Sequence, residues 1–521
     1  MDHVLQESRA ELVLNKLGVT SQSAIDTFKD QAAKWTTNLT ILNARSEAWR
    51  RLKGNNATEW GSHLPALLAN EQILRELDPA TASESQKEDW SQILFTNHFS
   101  SLNFVPFTLM YVAISKIFLA PMIAWCMPFM TILLPFLALR FMYNMPITWD
   151  AYWAAMRPMI FGNANNAGAP ITVSTLLQWG SMILSYGHGM YIPYTNAVHC
   201  YKIDQLMLKG SKALVDTVRR LRQIADIWIS YGIRKPWSLP DPASYGDERQ
   251  VLAWLIEDKQ LLPQIYSAIG RVELTWAIQR DSSLMPVEWV QSPIPMCSVI
   301  NGIDPLLSVE KRVPYTLSMG QKDHHAICTG PNRGGKSTFL RSVLTTLVFA
   351  HVWGVGFAER CVLTPVEWVI SSLRLEDRPG KESLFEREVS VAGEILKRAR
   401  AKESRGWVII DELFHTTNPP DAATASQIFL QQLWNSDIVT SIVSTHLFSH
   451  AETAPSQCQR LCVDSTFSYE TNMIEYKYTI MKGINTMSSV NELLSESGVI
   501  DSLNASRLEM KTSEVDIEDA K

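Results

Sequence analysis

The stretch "ICTGPNRGGKSTFL", residues 327–340, decides the fold of the C-terminal half of this 521-residue chain. Residues 330–337 within it satisfy the pattern GxxxxGK(S/T); an apolar strand, Ala326–Cys328, enters the loop, and a helical pattern starting near Lys336 leaves it. That order of strand, glycine-rich loop and helix is the one a phosphate cradle needs. Gly334 and Gly335 let backbone N–H groups converge on phosphate, and the helix N-terminus adds its partial positive charge. Lys336 is placed to neutralise terminal phosphate oxygens, and Ser337 to hold Mg²⁺. Gly330, Pro331, Asn332, Arg333, Gly334, Gly335, Lys336, Ser337 and Thr338 are therefore the candidate ATP-binding residues. An ordinary glycine-rich turn is the alternative.

A second element, "GWVIIDELFHTT", begins at Gly406. Its apolar run predicts a buried parallel strand that delivers Asp411 and Glu412 to the carboxyl edge of a sheet, where α/β folds bind ligands. Asp411 is expected to join Ser337 as a metal ligand, and Glu412 to polarise the attacking water. A third strand, "IVTSIVSTH", residues 438–446, ends in Thr445 and His446. A histidine at that edge can sense the terminal phosphate or orient the water, so His446 is the second candidate catalytic residue. Each feature alone has a bland structural reading; three strand ends converging on one edge make a site.

Outward from this site the composition is globular, 46% hydrophobic and 19% charged, and the formal charge of −6 gives no overall signature of a nucleic-acid binder. Seven cysteines lie without the paired short spacings of a zinc site or disulfide framework, which suits reduced thiols. The N-terminal residues mix both charge signs and lack the apolar core of a secretory signal.

Residues 1–102 read as a helical N-terminal region, with Trp35, Leu39, Leu42 and Trp49 spaced for one helical face. Residues 103–201 read as membrane-associated. From Ile117 to Leu139 run 23 consecutive uncharged residues, long enough to cross a hydrocarbon core of about 30 Å. Pro121, Pro128 and Pro135 interrupt that run and predict a kinked span or a re-entrant hairpin. Residues 171–194 form a weaker second candidate, and a buried core helix is the alternative for the first. Residues 202–290 read as a helical core or lever, 291–500 as the α/β domain, and 501–521 as a disordered acidic tail. Two basic runs, Arg219, Arg220 and Arg222, and Lys397 to Arg405, are either phosphate contacts or solvated helix faces.

Taken together, "TGPNRGGKST" (329–338), "LRLEDR" (373–378), "ESLFERE" (382–388), "IIDELFHTTNPPDA" (409–422), "STH" (444–446) and "YKYTIMKGINTMSS" (476–489) resemble the ATPase domain of the MutS family of DNA mismatch repair proteins. The resemblance covers residues 300–495 and, loosely, 203–290. It implies an α/β P-loop NTPase domain of the ABC/MutS-like type at the C-terminal end, preceded by a mostly α-helical region with one or two candidate membrane segments. It further implies ATP and Mg²⁺ as cofactors and a homodimer in which each ATPase domain completes the other's site, with Ser383 as a trans contact to ATP, Asn332 touching the phosphates and His446 as the switch histidine.

The sequence also departs from the family. Where MutS proteins have GRGT after the carboxylates, this chain has Phe414, His415, Thr416 and Thr417, and Arg333 replaces an apolar loop residue. The chain is expected to lack the mismatch-reading and connector domains, so the nearer comparison is with MutS-related proteins that carry membrane segments. The leading expectation is a membrane-associated, dimeric ATPase with its ATPase domain facing the cytosol and DNA as a further candidate partner. The competing readings are a nucleotide-gated membrane scaffold with little hydrolysis and a transporter-type ATPase.

Overall fold

Five apolar runs assemble into the parallel part of a six-stranded sheet, because segments such as Trp407, Val408, Ile409 and Ile410 need cover on both faces. The computed structural model describes residues 1–55, 58–95, 97–161, 173–320, 322–373, 384–414, 416–468 and 473–489. The sheet order is Met473–Lys482, Cys458–Ser468, His325–Thr329, Val439–Ser444, Gly406–Ile410 and Trp368–Ser372. All neighbours are parallel except the outer pair, Cys458–Ser468 with Met473–Lys482, which is antiparallel. Cys458 and Cys462 therefore sit on a strand, where both are free thiols.

The chain divides into two compact units. The first comprises 1–64, 225–236 and 267–521, and contains this sheet. Val408 and Ile410, two residues apart and hence on one face, join Ile395 of helix Leu384–Ala401 and Leu433 of helix Pro419–Trp434 in a single apolar cluster. The helix that follows the glycine loop, Lys336–Trp353, meets the N-terminal helices instead: the Phe28 and Phe349 rings lie 4.9 Å apart, and Trp35 stacks on His351 at 4.2 Å. Trp35 performs this contact from the connection after helix Gln22–Ala33, outside the helix Leu39–Lys53 that carries Leu42 and Trp49. Buried Glu273 ties the start of Gln22–Ala33 by accepting from the backbone N–H groups of Thr20, at 2.7 Å, and Ser21, at 3.2 Å. A four-stranded sheet, in the order Glu288–Trp289, Arg360–Leu363, Cys297–Gly302, Tyr315–Met319, completes this unit together with a short two-stranded pair.

The second unit, 65–224 and 237–266, is helical among its described residues. Its core gathers Leu74, Leu77, Leu214, Leu221, Leu252 and Leu262. Gly210 admits the Leu77 side chain, which a Cβ would meet at 1.9 Å. Residues Thr108–Met142 form one continuous helix, which answers to the expected span and not to the re-entrant hairpin. Two π-helical turns, Ser115–Leu119 and Ala138–Met142, flank the α-helical stretch Ala120–Leu137. Pro121 follows just after the first π-helical turn, while Pro128 and Pro135 lie within the α-helical stretch. The chain returns through helix Trp149–Phe161, in which Trp149 packs edge-on to Phe136 and the Tyr152 hydroxyl donates to the Ile132 carbonyl at 2.8 Å. Among the described residues Thr108–Met142 is the one helix long and apolar enough to cross a bilayer, and none of its most apolar window is buried. The second expected segment lies partly outside the described residues; its remainder opens the 58-residue helix Val173–Ser230. The tail 501–521 also lies outside them.

Candidate functional site

The glycine loop leaves its strand through Gly330 at φ 143° and closes through Gly335 at φ 101°, conformations that exclude an ordinary side chain. Gly335 then caps helix Lys336–Trp353, so the helix N-terminus points its free N–H groups toward the loop. Arg333 occupies the left-handed region at φ 63° on the exposed outer turn, flanked by Asn332. The Lys336 ammonium is buried and donates to the carbonyls of Gly330, at 2.8 Å, and Pro331, at 3.1 Å. Burial lowers its pKa, against the opposing pull of Cys328, Glu412 and Asp411. Ser337 and Thr338 follow on the first turn of the helix.

Parallel pairing places the ends of three strands beside this loop. The Asp411 N–H donates to the Ser372 carbonyl at 2.9 Å, and the Asp411 carboxylate accepts from the Ser444 hydroxyl. Ser444 Oγ in turn accepts from the Glu412 N–H at 3.1 Å, so one hydroxyl fixes both acidic residues. Glu412 itself has φ 57°. His446 Nε2 lies 2.8 Å from Glu412 Oε1, each side chain 38% exposed. Thr445 holds the end of its strand against the loop strand by donating its N–H to the Cys328 carbonyl at 3.1 Å.

A cavity of about 320 Å³ opens at this edge, lined by Ser337 and Asp411 together with Arg341, Arg387 and, from the N-terminus, His3 and Glu7. The expected loop, carboxylates and histidine are thus brought together. Ser383 lies outside the described residues, as do 374–378 of the "LRLEDR" stretch. "LFERE" begins helix Leu384–Ala401, whose buried Glu388 accepts from the Thr416 hydroxyl at 2.7 Å.

The turn after the carboxylates shows how the departure from GRGT is accommodated. Phe414 takes φ 53°, a conformation costly for a bulky residue, and its buried ring sits between Phe385 and Phe429 at centroid distances of 6.1 and 6.2 Å. Side-chain packing holds a turn that glycine would adopt without strain.

Four contributors have roles at the site that the sequence motifs leave unassigned. Ser444 and Glu7 are ordinary residue types with no spacing signal; Glu7 accepts from the Leu373 N–H at 2.9 Å across 366 positions. Tyr478, also left-handed at φ 57°, puts an exposed ring close enough to Gly335 that a Cβ there would lie 3.3 Å from it. Asn485 shows its role through its contacts: its N–H donates to Thr329 Oγ1 at 2.9 Å and its amide to the Val463 carbonyl at 2.8 Å, pinning the closing segment to the loop strand.

Several arginines of the basic runs are engaged locally. Arg219 and Arg220 pair with Asp216 and Arg222 with Asp241, while Arg398 pairs with Glu394 and lies over the Trp368 ring.

The site's residues suit a magnesium nucleotide. Ser337 and Asp411 offer two hard oxygen donors on one cavity wall, and among the described residues no group of three or more His, Cys, Asp or Glu could hold a metal unaided. A metal held by these two oxygens would complete its shell with water or phosphate oxygens, as Mg²⁺ does when it accompanies a nucleotide.

Comparison with known proteins bears on the same part of the chain. Residues 326–501 match the family profile of MutS domain V. DNA mismatch repair protein MutS of Treponema pallidum (strain Nichols) is 31% identical over 158 residues, which are 29% of this chain and 17% of that protein. DNA mismatch repair protein Msh6 of Gallus gallus is 32% identical over 148 residues, 27% of this chain and 11% of that protein. The match therefore spans less than a fifth of either relative's length.

Proposed function

We propose that this chain, a member of the MutS family through residues 326–501, binds ATP with Mg²⁺ on the loop 330–338 and hydrolyses it. The observation that carries the reading is the meeting of the buried Lys336, the Ser444-fixed pair Asp411 and Glu412, and His446 at one sheet edge. Such an edge is where a P-loop NTPase fold holds nucleotide. Gly330 to Thr338 would cradle the phosphates, and Ser337 and Asp411 would hold the metal, which when bound neutralises charge developing on the transferred phosphate. Glu412 accepts the proton of the attacking water, and His446 holds the Glu412 carboxylate in one orientation through their 2.8 Å contact.

The homodimeric composite site, with Ser383 supplied in trans, belongs to this proposal through family membership. DNA is a proposed partner, supported by the names of the relatives, which are DNA mismatch repair proteins. Membrane attachment, with the ATPase domain on the cytosolic side, is proposed from the exposed apolar helix Thr108–Met142. A second reading, a nucleotide-gated membrane scaffold that turns over slowly, is favoured by the left-handed Phe414 in place of a glycine.

The test is ATP turnover by the full chain in an uncharged detergent, with and without duplex DNA, using Lys336→Ala as the blank. Turnover above the blank supports the ATPase, and stimulation by DNA supports the partner; binding without turnover favours the scaffold.

A further inference from the structure

A second pocket, of about 200 Å³, lies in the first unit at the far end of the helix Lys336–Trp353 from the glycine loop. At about 1.5 Å per residue this 18-residue helix separates the two by roughly 27 Å. The pocket is lined by two arginines, Arg45 and Arg271, and by the apolar side chains of Trp49, Leu52, Val352 and Trp353.

Both guanidinium groups are partly buried and both find carbonyl or amide oxygens. Arg45 donates to the His351 carbonyl and to Gln31 Oε1 at 3.3 Å, and Arg271 to the Pro236 carbonyl at 3.4 Å. Among the described residues neither forms an ion pair. The carboxylate that acts on Arg271, Asp30, pairs with Lys34 at 2.6 Å. Burial lowers the pKa of each arginine, and the charge of Arg271 lowers that of Arg45 further.

Two like charges brought together in a half-buried pocket, where the one carboxylate acting on them, Asp30, is already paired with Lys34, oppose folding, so a fold that keeps them gains from an anion between them. Guanidinium forks match the oxygens of a phosphate group, and the aromatic and aliphatic wall suits an apolar body attached to it. We propose that this pocket is a binding site for an organic phosphate, with Arg45 and Arg271 taking the phosphate group and Trp49, Leu52, Val352 and Trp353 packing the apolar body. The site is independent of the nucleotide site.

Phenyl phosphate is the first probe, titrated by calorimetry into the full chain carrying Lys336→Ala, which removes binding at the glycine loop. The expected result is binding at least tenfold tighter than that of inorganic phosphate, and at least tenfold weaker in Arg45→Met and in Arg271→Met. Arg271→Lys, which keeps the charge and loses the fork, should recover part of the affinity. Circular dichroism identical to the parent's establishes that each variant is folded.

Absence of binding, or binding unaffected by both methionine variants, would overturn the proposal. Equal affinity for inorganic and phenyl phosphate would overturn the organic-phosphate assignment. Nanodiscs of phosphatidylcholine containing phosphatidic acid then distinguish the source. Competition with phenyl phosphate supports a lipid headgroup, and no competition supports a soluble phosphate ester.

Discussion

His446 Nε2 sits 2.8 Å from Glu412 Oε1, joining the ends of two neighbouring parallel strands at the side of the glycine loop. The contact gives Glu412 an orientation that its strand alone does not supply, because Glu412 already departs from strand geometry at φ 57°.

His446→Ala is therefore expected to lower ATP turnover by about 10- to 100-fold, below the full effect of losing a general base, with ATP affinity nearly unchanged. Parallel measurements of turnover and nucleotide binding check this. Loss of binding with turnover per bound ATP intact would reassign the histidine to the phosphates.

Gly406 opens the strand that carries Asp411 and Glu412, and a Cβ there would lie 2.1 Å from the Trp368 ring. That ring is held by its N–H donating to Ser404 Oγ at 3.1 Å and cannot swing freely. Gly406→Ala should destabilise the fold by about 1–3 kcal/mol, the range for overpacking a filled core, measured by urea denaturation. A midpoint unchanged from the parent would mean that the two strands separate easily.

Acid should weaken the fold through two buried histidines. Burial pushes the pKa of His325 down to about 3 and that of His351 to about 4, against 6.5 for the free side chain. Since the folded-state values are lowered, the unfolded chain binds more protons. The associated stability is fully present above pH 6.5 and is lost as pH falls toward 4 and 3, at about 1.4 kcal/mol per pH unit for each histidine. His325→Gln should flatten the dependence between pH 6.5 and 5 by about one proton. Denaturation midpoints across that interval check it; an unchanged slope would contradict the assignment.

The helix Thr108–Met142 exposes Ile123 and Leu134 among its apolar side chains. The full chain is expected to stay in the membrane pellet after alkaline extraction. Ile123→Lys with Leu134→Lys should release it, since each charge at mid-helix costs about 2.5–3.5 kcal/mol of insertion. Extraction of the unaltered chain would count against a spanning helix.

What was legible in the sequence follows the range of the forces involved. The loop 330–338 could be read because its glycines answer to local backbone demands: Gly330 and Gly335 do adopt positive φ. Asp411, Glu412 and His446 could be read because a buried strand has a distinctive apolar run and they follow its end by one or two residues. Ser444 could not, because a serine at a strand end carries no signal until its hydroxyl is seen bridging Asp411 and Glu412. Glu7 reaches the site across most of the chain, which no periodicity records. The prolines left two outcomes open, a kinked span or a hairpin, because their effect is local: the helix continues through Pro121, Pro128 and Pro135, with π-helical turns on either side of the α-helical stretch, and the hairpin does not form. Trp35 lies off the expected helical face because spacing alone cannot tell such a face from a residue just past the helix end.

The proposed role of Glu412, activation of water for ATP hydrolysis at the loop 330–338, is tested by steady-state turnover beside ATP affinity in the full chain and in Glu412→Gln. The expected result is turnover above the Lys336→Ala blank that falls about 100-fold or more in Glu412→Gln, with ATP affinity kept. Turnover indifferent to Glu412→Gln would contradict it.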